Sequence, residues 1–184
     1  PSPFPTGPVK GAYALANSFA QSSNLEVFIV FLRKGPGVNA FLDKRVKLII
    51  LANHKKNLIN KLFAYKTFLK QLGNKNNITS LSMCFSADLI NSFCGNEANT
   101  ISSIRGNLYE NYKFTYGIIG IFIAHIHYKL LPRFKHVVSM TKSMQNQIKK
   151  RCNIDSKIIP NFIDELDLDR YRNKKKIFSK KIKF

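Results

Sequence analysis

Short, nearly continuous apolar runs alternate with amphipathic segments along this chain, and that alternation restricts the folds open to it more than any other feature. Residues 25–32 (LEVFIVFL) are rich in β-branched and aromatic side chains and are bounded by Gly35-Pro36-Gly37, which predicts a strand buried on both faces. Residues 46–51 (VKLIIL) repeat the signal. Before them, Val9, Ala12, Ala16, Phe19 and Ala20 recur at helical spacing over residues 9–20. After them, residues 54–72 place Leu58, Leu62, Tyr65, Leu69 and Leu72 along one line, with Ile59 and Phe63 beside it and Gly73 as the C-terminal stop. The pattern continues as strand 80–85, helix 87–93, strand 100–105, helix 109–131, strand 136–140, helix 142–151 and a last short strand 157–159. A parallel strand pair needs a crossover connection, and a helix is the usual one, so the order predicts a three-layer α/β domain with a mainly parallel sheet covered on both faces.

A length of 184 residues suits one domain of ordinary size. With 45% hydrophobic residues the chain can bury a substantial core, which excludes a disordered tail or a disulfide-stapled miniprotein. Thirty Lys and Arg against ten Asp and Glu give a formal net charge of +20, which implies anionic partners: phosphates, lipid headgroups or nucleic acid. The joint richness in Lys, Asn, Ile and Phe also follows from AT-rich coding without selection for any ligand. Cys84, Cys94 and Cys152 are odd in number and lack CxxC spacing, so neither a disulfide framework nor a zinc site is suggested, and a reducing compartment fits. The opening PSPFPTGP reads as a loop without the features of a signal peptide, and further sequence upstream is expected. The most apolar stretch, residues 118–126 (IIGIFIAHI), falls well short of the roughly 20 residues a membrane-spanning helix needs, so no span is expected.

In an open parallel sheet, ligands bind at the carboxyl ends of the strands, so polar residues mean most in the loops that follow them. The segment PTGPVKG precedes a helix and carries Gly7, Lys10 and Gly11, which can offer backbone N–H groups and a cation to a phosphate. It lacks the P-loop and GxGxxG spacings. Ser86 is a plausible N-cap and Asp88 sits in the first turn of the same helix, where capping accounts for both. Arg105-Gly106-Asn107 follows a strand and leads into Tyr109, Glu110, Asn111 and Tyr112: one fixed cation, a glycine allowing close approach, and several hydrogen-bonding side chains suited to a sugar or phosphate. His125 and His127 are two apart, so on a helix they point to nearly opposite faces and cannot share a metal; His54 and His136 stand at element edges, and a structural role is expected for each. There is no GxSxG elbow and no HExxH, and Asp164, Glu165, Asp167 and Asp169 read as solvated surface, so the chain shows no self-contained catalytic constellation.

Four segments together resemble the N-terminal domain of family 4 glycosyltransferases, the retaining enzymes of the GT-B superfold: TGPVKGAYALANSFAQ, SSIRGNLYENYKFTYG, HVVSMTKSMQNQIKKRCNI and KIIPNFID. The likeness implies a Rossmann-like acceptor-side domain over residues 1–160, and an interdomain crossing with the start of a donor-binding domain over 161–184. Two departures stand out: the chain opens in the glycine-containing loop, where the family has a strand before it and paired glycines in place of Gly7-Pro8, and KIFSKKIKF after the crossing resembles only the first strand of the second domain, so the resemblance implies half of a truncated two-domain enzyme. The resemblance implies transfer of a sugar from a nucleotide-sugar to an acceptor hydroxyl with retention, in cell-envelope or surface polysaccharide synthesis, with no cofactor and no obligatory metal. Gly7 and Lys10 would lie near the donor diphosphate, Ser86, Arg105 and Asn107 would line the acceptor side, Ser139 would end a strand at the cleft, and Pro160-Asn161 would be hinge. Gly106 and Tyr109 join the substrate-binding candidates as neighbours of Arg105.

The basic helix 54–72, with Lys55, Lys56, Lys61, Lys66 and Lys70, suits peripheral attachment at the inner, cytoplasmic face of a membrane and a glycan or lipid-linked acceptor. The same Lys residues also suit an ordinary solvated helix face. The competing readings are a non-catalytic remnant and a basic nucleic-acid-binding module, the latter weakened by the absence of helix-turn-helix, RRM, KH and zinc-finger spacing. Electrostatic stabilisation of the leaving diphosphate dominates such transfer, and most of the cations supplying it belong to the donor-binding domain. The isolated chain is therefore expected to transfer no sugar from a panel of nucleotide-sugars, and turnover by the purified chain would refute this.

Overall fold

A computed structural model of the chain describes residues 7–33, 42–51 and 57–160. The expectations for Gly35-Pro36-Gly37, His54, Lys55, Lys56, Asn161 and the carboxylates of residues 164–169 fall outside those residues. The elements run α1 Gly7–Ala20, β1 Phe28–Phe31, β2 Lys47–Ile50, α2 Leu58–Gln71, β3 Thr79–Ser82, α3 Phe85–Asn91, β4 Asn99–Ile104, α4 Leu108–Leu130, β5 His136–Ser139, α5 Lys142–Cys152 and β6 Lys157–Ile158. Side chains that satisfy orphan backbone N–H groups define several helix starts. The Asn57 amide oxygen accepts from the N–H of Ile59 at 3.1 Å, that of Asn107 from Glu110 at 3.3 Å, and the Thr141 hydroxyl from Met144 at 3.2 Å. Gly73, just past α2, has φ +115°, a left-handed conformation that glycine adopts without penalty, as expected of a stop signal.

All strand pairs among the described residues are parallel, but they form two sheets, β1-β2 and β3-β4-β5-β6, where a single sheet was expected. Alternation along β1 and β2 gives three layers around the smaller sheet. Tyr13, Ala16 and Ala20 of α1 pack with Val27, Ile29 and Phe31, while Leu62 and Tyr65 of α2 pack with Val30 and Ile49 on the other side. The larger sheet is covered differently. Ser80 and Ser82 of β3, Ser102 and Ile104 of β4, and Val137 and Ser139 of β5 share one face by register, and α3, α4 and α5 pack there. Leu81, Ile101 and Val138, on the opposite face, are half-buried or exposed. The four strands follow one another in spatial order, so the crossovers run in one constant direction, and α3, α4 and α5 all return to the same side.

Helix α4 is not straight. At Gly117 the backbone leaves the helix (φ 58°, ψ −134°), and the two limbs fold back so that the Tyr112 hydroxyl meets His127 Nδ1 at 2.9 Å. Fifteen residues of straight helix would set those residues about 22 Å apart. By length and composition Leu108–Arg133, 26 residues, is long and apolar enough to cross a membrane, a feature missed by measuring only the unbroken stretch 118–126; the bend divides it. Helix α2 also departs from expectation: Leu69 is buried, but Leu58, Ile59 and Phe63 are exposed.

Close packing at the α4 bend depends on a second glycine. A Cβ on Gly120 would stand 1.8 Å from the backbone oxygen of Tyr112, where no side chain fits without moving the main chain. Overpacking of this kind costs about 1–3 kcal/mol, so Gly120→Ala is expected to lower the urea midpoint correspondingly; an unchanged midpoint would contradict the folded-back geometry.

Candidate functional site

Parallel pairing brings the carboxyl ends of β4, β5 and β6 to one edge, with Ile104 opposite Ser139 and Ser139 opposite Ile158. Arg105 leaves β4 at that edge. Its guanidinium lies against the first turns of α1: a Cβ on Gly11 would be 3.2 Å from Arg105 Nη2 and 3.5 Å from Cζ. A side chain at position 11 would press on the planar group, which would have to give way by a few tenths of an ångström. Arg105 Nη1 also points at the Met83 sulfur, 3.7 Å away, in the loop after β3. Burial pulls the guanidinium pKa below its ordinary value, yet an arginine remains charged at neutral pH. A fixed, partly desolvated cation thus sits beside the opening of α1, where Gly7 begins the helix and Lys10 is exposed.

The other candidates do not all join this cluster. Gly106 admits the Asn111 side chain, whose amide nitrogen would be 2.2 Å from a Cβ, and Asn107 caps α4; both shape the turn that carries Arg105. Ser86 is half-buried in the first turn of α3, its hydroxyl 3.6 Å from the Cys84 sulfur; Cys84, not Ser86, occupies the N-cap, and it makes no side-chain cap bond. Ser139 does end β5 at the expected edge, but it is fully buried and its hydroxyl accepts from Ser156 at 3.0 Å. Tyr109 lies elsewhere. It lines a cleft of about 490 Å³ between α4 and α5, with His125, Lys129, Lys150 and Arg151 on the walls and the Arg151 guanidinium 5.6 Å from its ring. Nothing in the sequence pattern joined those four side chains, because they come from turns of two helices that meet only through the fold.

Beneath the edge runs a buried polar chain that sequence reasoning did not assemble. The Tyr65 and Ser80 hydroxyls are 2.6 Å apart; Ser80 donates to the Asn91 carbonyl at 2.7 Å, and the Asn91 amide donates to the Ser82 hydroxyl at 3.0 Å. Ser82 donates to Asp88 Oδ1 at 2.5 Å, and Asp88 Oδ2 lies 2.6 Å from His127 Nε2. The arrangement that satisfies every group has His127 Nε2–H donating to the carboxylate and Nδ1 accepting from Tyr112. Asp88, read from sequence as a capping residue, is fully buried and paired 39 positions away. Burial, aided by the Asp88 charge, raises the Tyr112 pKa, so its hydroxyl stays neutral and donates. Chemically this chain fastens elements together and keeps its groups away from solvent.

Among the described residues no group of three or more His, Cys, Asp or Glu is placed to hold a metal ion. Burial pushes the Cys94 thiol up to about 12 and that of Cys152 up to about 11, so neither is a thiolate at neutral pH. No family model matches the chain, and neither a curated protein nor a solved structure does.

Proposed function

We propose that this chain is the acceptor-side domain of a retaining glycosyltransferase of GT-B type, with the edge around Arg105 forming one wall of the transfer cleft. The observation that carries the reading is the Arg105 guanidinium seated on Gly11 beside the start of α1. A cation, the positive end of a helix and the carboxyl edge of a parallel sheet converge there, and each favours a phosphate-bearing ligand. The sequence likeness supplies the reaction. The bond from the anomeric carbon to the diphosphate oxygen breaks, a bond to the acceptor oxygen forms on the same face, and the acceptor proton passes to the departing diphosphate. Arg105, Lys10 and the first N–H groups of α1 would stabilise the negative charge that accumulates on that leaving group.

The donor in this reading is a nucleotide-sugar, held mainly by a facing domain, and the acceptor is a glycan or a lipid-linked sugar on the cytoplasmic side of a membrane. Gly106 and Asn107 hold the turn, and Ser139 serves the β5-β6 pairing instead of the ligand.

The test is calorimetric titration with UDP and with inorganic pyrophosphate as probes. Loss of one charge-assisted contact is worth about 1.5–3 kcal/mol, so Arg105→Gln is expected to weaken binding about tenfold or more. Lys129→Gln, in the α4-α5 cleft, is expected to bind as the parent does. Equal affinity of parent and Arg105→Gln, or no binding by the parent, would contradict the assignment.

A further inference from the structure

The bend of α4 projects five large apolar side chains into solvent within nine residues: Phe114, Tyr116, Ile118, Ile119 and Phe122. Phe114 is 95% exposed and Ile118 86%, values that leave almost no contact with the rest of the chain. Single exposed apolar residues are ordinary on protein surfaces, but a contiguous projecting group marks a surface that meets an apolar phase. Along the second limb Ile118, Ile119, Phe122, His125 and Lys129 recur at spacings of three and four, so the apolar tip grades through an imidazole to a lysine on one stripe. Lys150 and Arg151 of α5 line the same cleft as His125 and Lys129, and Lys113 is exposed on the first limb. The sole carboxylate between Arg105 and Arg151 is Glu110.

We infer that this corner is a membrane-docking wedge whose partner is an anionic lipid surface, with the aromatic and isoleucine tip entering the acyl boundary and the flanking cations meeting lipid phosphates. Charge selects this occupant. A second copy of the chain would bring two bodies of formal charge +20 together, which like-charge repulsion opposes. A nucleic acid could stack bases on Phe114, Tyr116 and Phe122, but Ile118 and Ile119, between those rings, would be left against phosphates and water with neither a base-edge nor a stacking partner. An anionic bilayer offers both an apolar interior and negative phosphates, in the order in which the stripe presents its own groups. The inference is independent of the sugar-transfer reading and differs from docking through α2, whose Lys66 is engaged by Glu97 at 3.5 Å.

The chain contains no tryptophan, so a single Phe114→Trp substitution reports on the tip alone. Its emission is expected to shift to the blue with vesicles of equal phosphatidylcholine and phosphatidylglycerol and to stay unchanged with phosphatidylcholine alone. Phe63→Trp, an exposed site on α2, is expected to show no shift. Ile118→Ser with Ile119→Ser is expected to weaken vesicle co-sedimentation of the full chain about tenfold or more while leaving the far-UV spectrum unchanged. A shift at Phe63→Trp without one at Phe114→Trp, equal response to neutral vesicles, or undiminished sedimentation of the double variant would each overturn the proposal.

Discussion

Asp88 is a carboxylate removed from water, and the fold is arranged around satisfying it. An unpaired buried charge costs several kcal/mol, so the residues that reach Asp88 are held as firmly as it is. Ser82 reaches it from β3 and His127 from the far limb of α4, and Tyr112 reaches His127 from the near limb. Through Ser80 and Asn91 the same chain of hydrogen bonds extends to Tyr65 on α2. Helices α2, α3 and α4 and strand β3 thus share one network, and the ring of Phe85 packs against it, 5.3 Å from His127 and 6.0 Å from Tyr112. Partly satisfied, such a network destabilises a core; complete, it specifies one packing.

That packing governs both surfaces of interest. Folding the limbs of α4 together turns the apolar residues around Gly117 outward at the bend, because the inner sides of the limbs are taken by Gly120, Ala124 and His127. The near limb is capped by Asn107, two residues after Arg105, so its attachment also sets the turn that seats the guanidinium on α1. An apolar corner and a cationic sheet edge are therefore two outcomes of the same anchoring, at opposite ends of a limb of about three turns.

The order of elements was legible from residue patterning because strands and helices differ in period, and Gly73 and Pro160 punctuate as their backbone limits dictate. Arg105 at a strand end was legible for the same reason. The break at Gly117 was not: one glycine in an apolar helical run is compatible with an unbroken helix, and what excludes it is tertiary, the closeness of Tyr112 to Gly120 and to His127. Asp88 in a first turn has a sufficient local explanation, so its partner 39 residues away leaves no trace in spacing. Ser139 was located at the correct edge, but its burial follows from β6 and Ser156 closing beside it, a tertiary event. The division into two sheets depends on which strands pair, and hydrophobic runs carry no information about that.

The protonation and contacts of the His127 ring test the central claim most directly. Nuclear magnetic resonance of the full chain with labelled imidazole nitrogens is expected to show Nε2 carrying a slowly exchanging proton, Nδ1 bare, and proton contacts between the His127 and Tyr112 rings. A His127 ring that exchanges freely with solvent and shows no contact with Tyr112 would mean that α4 is not folded back on Asp88, and the account of both surfaces would fall with it.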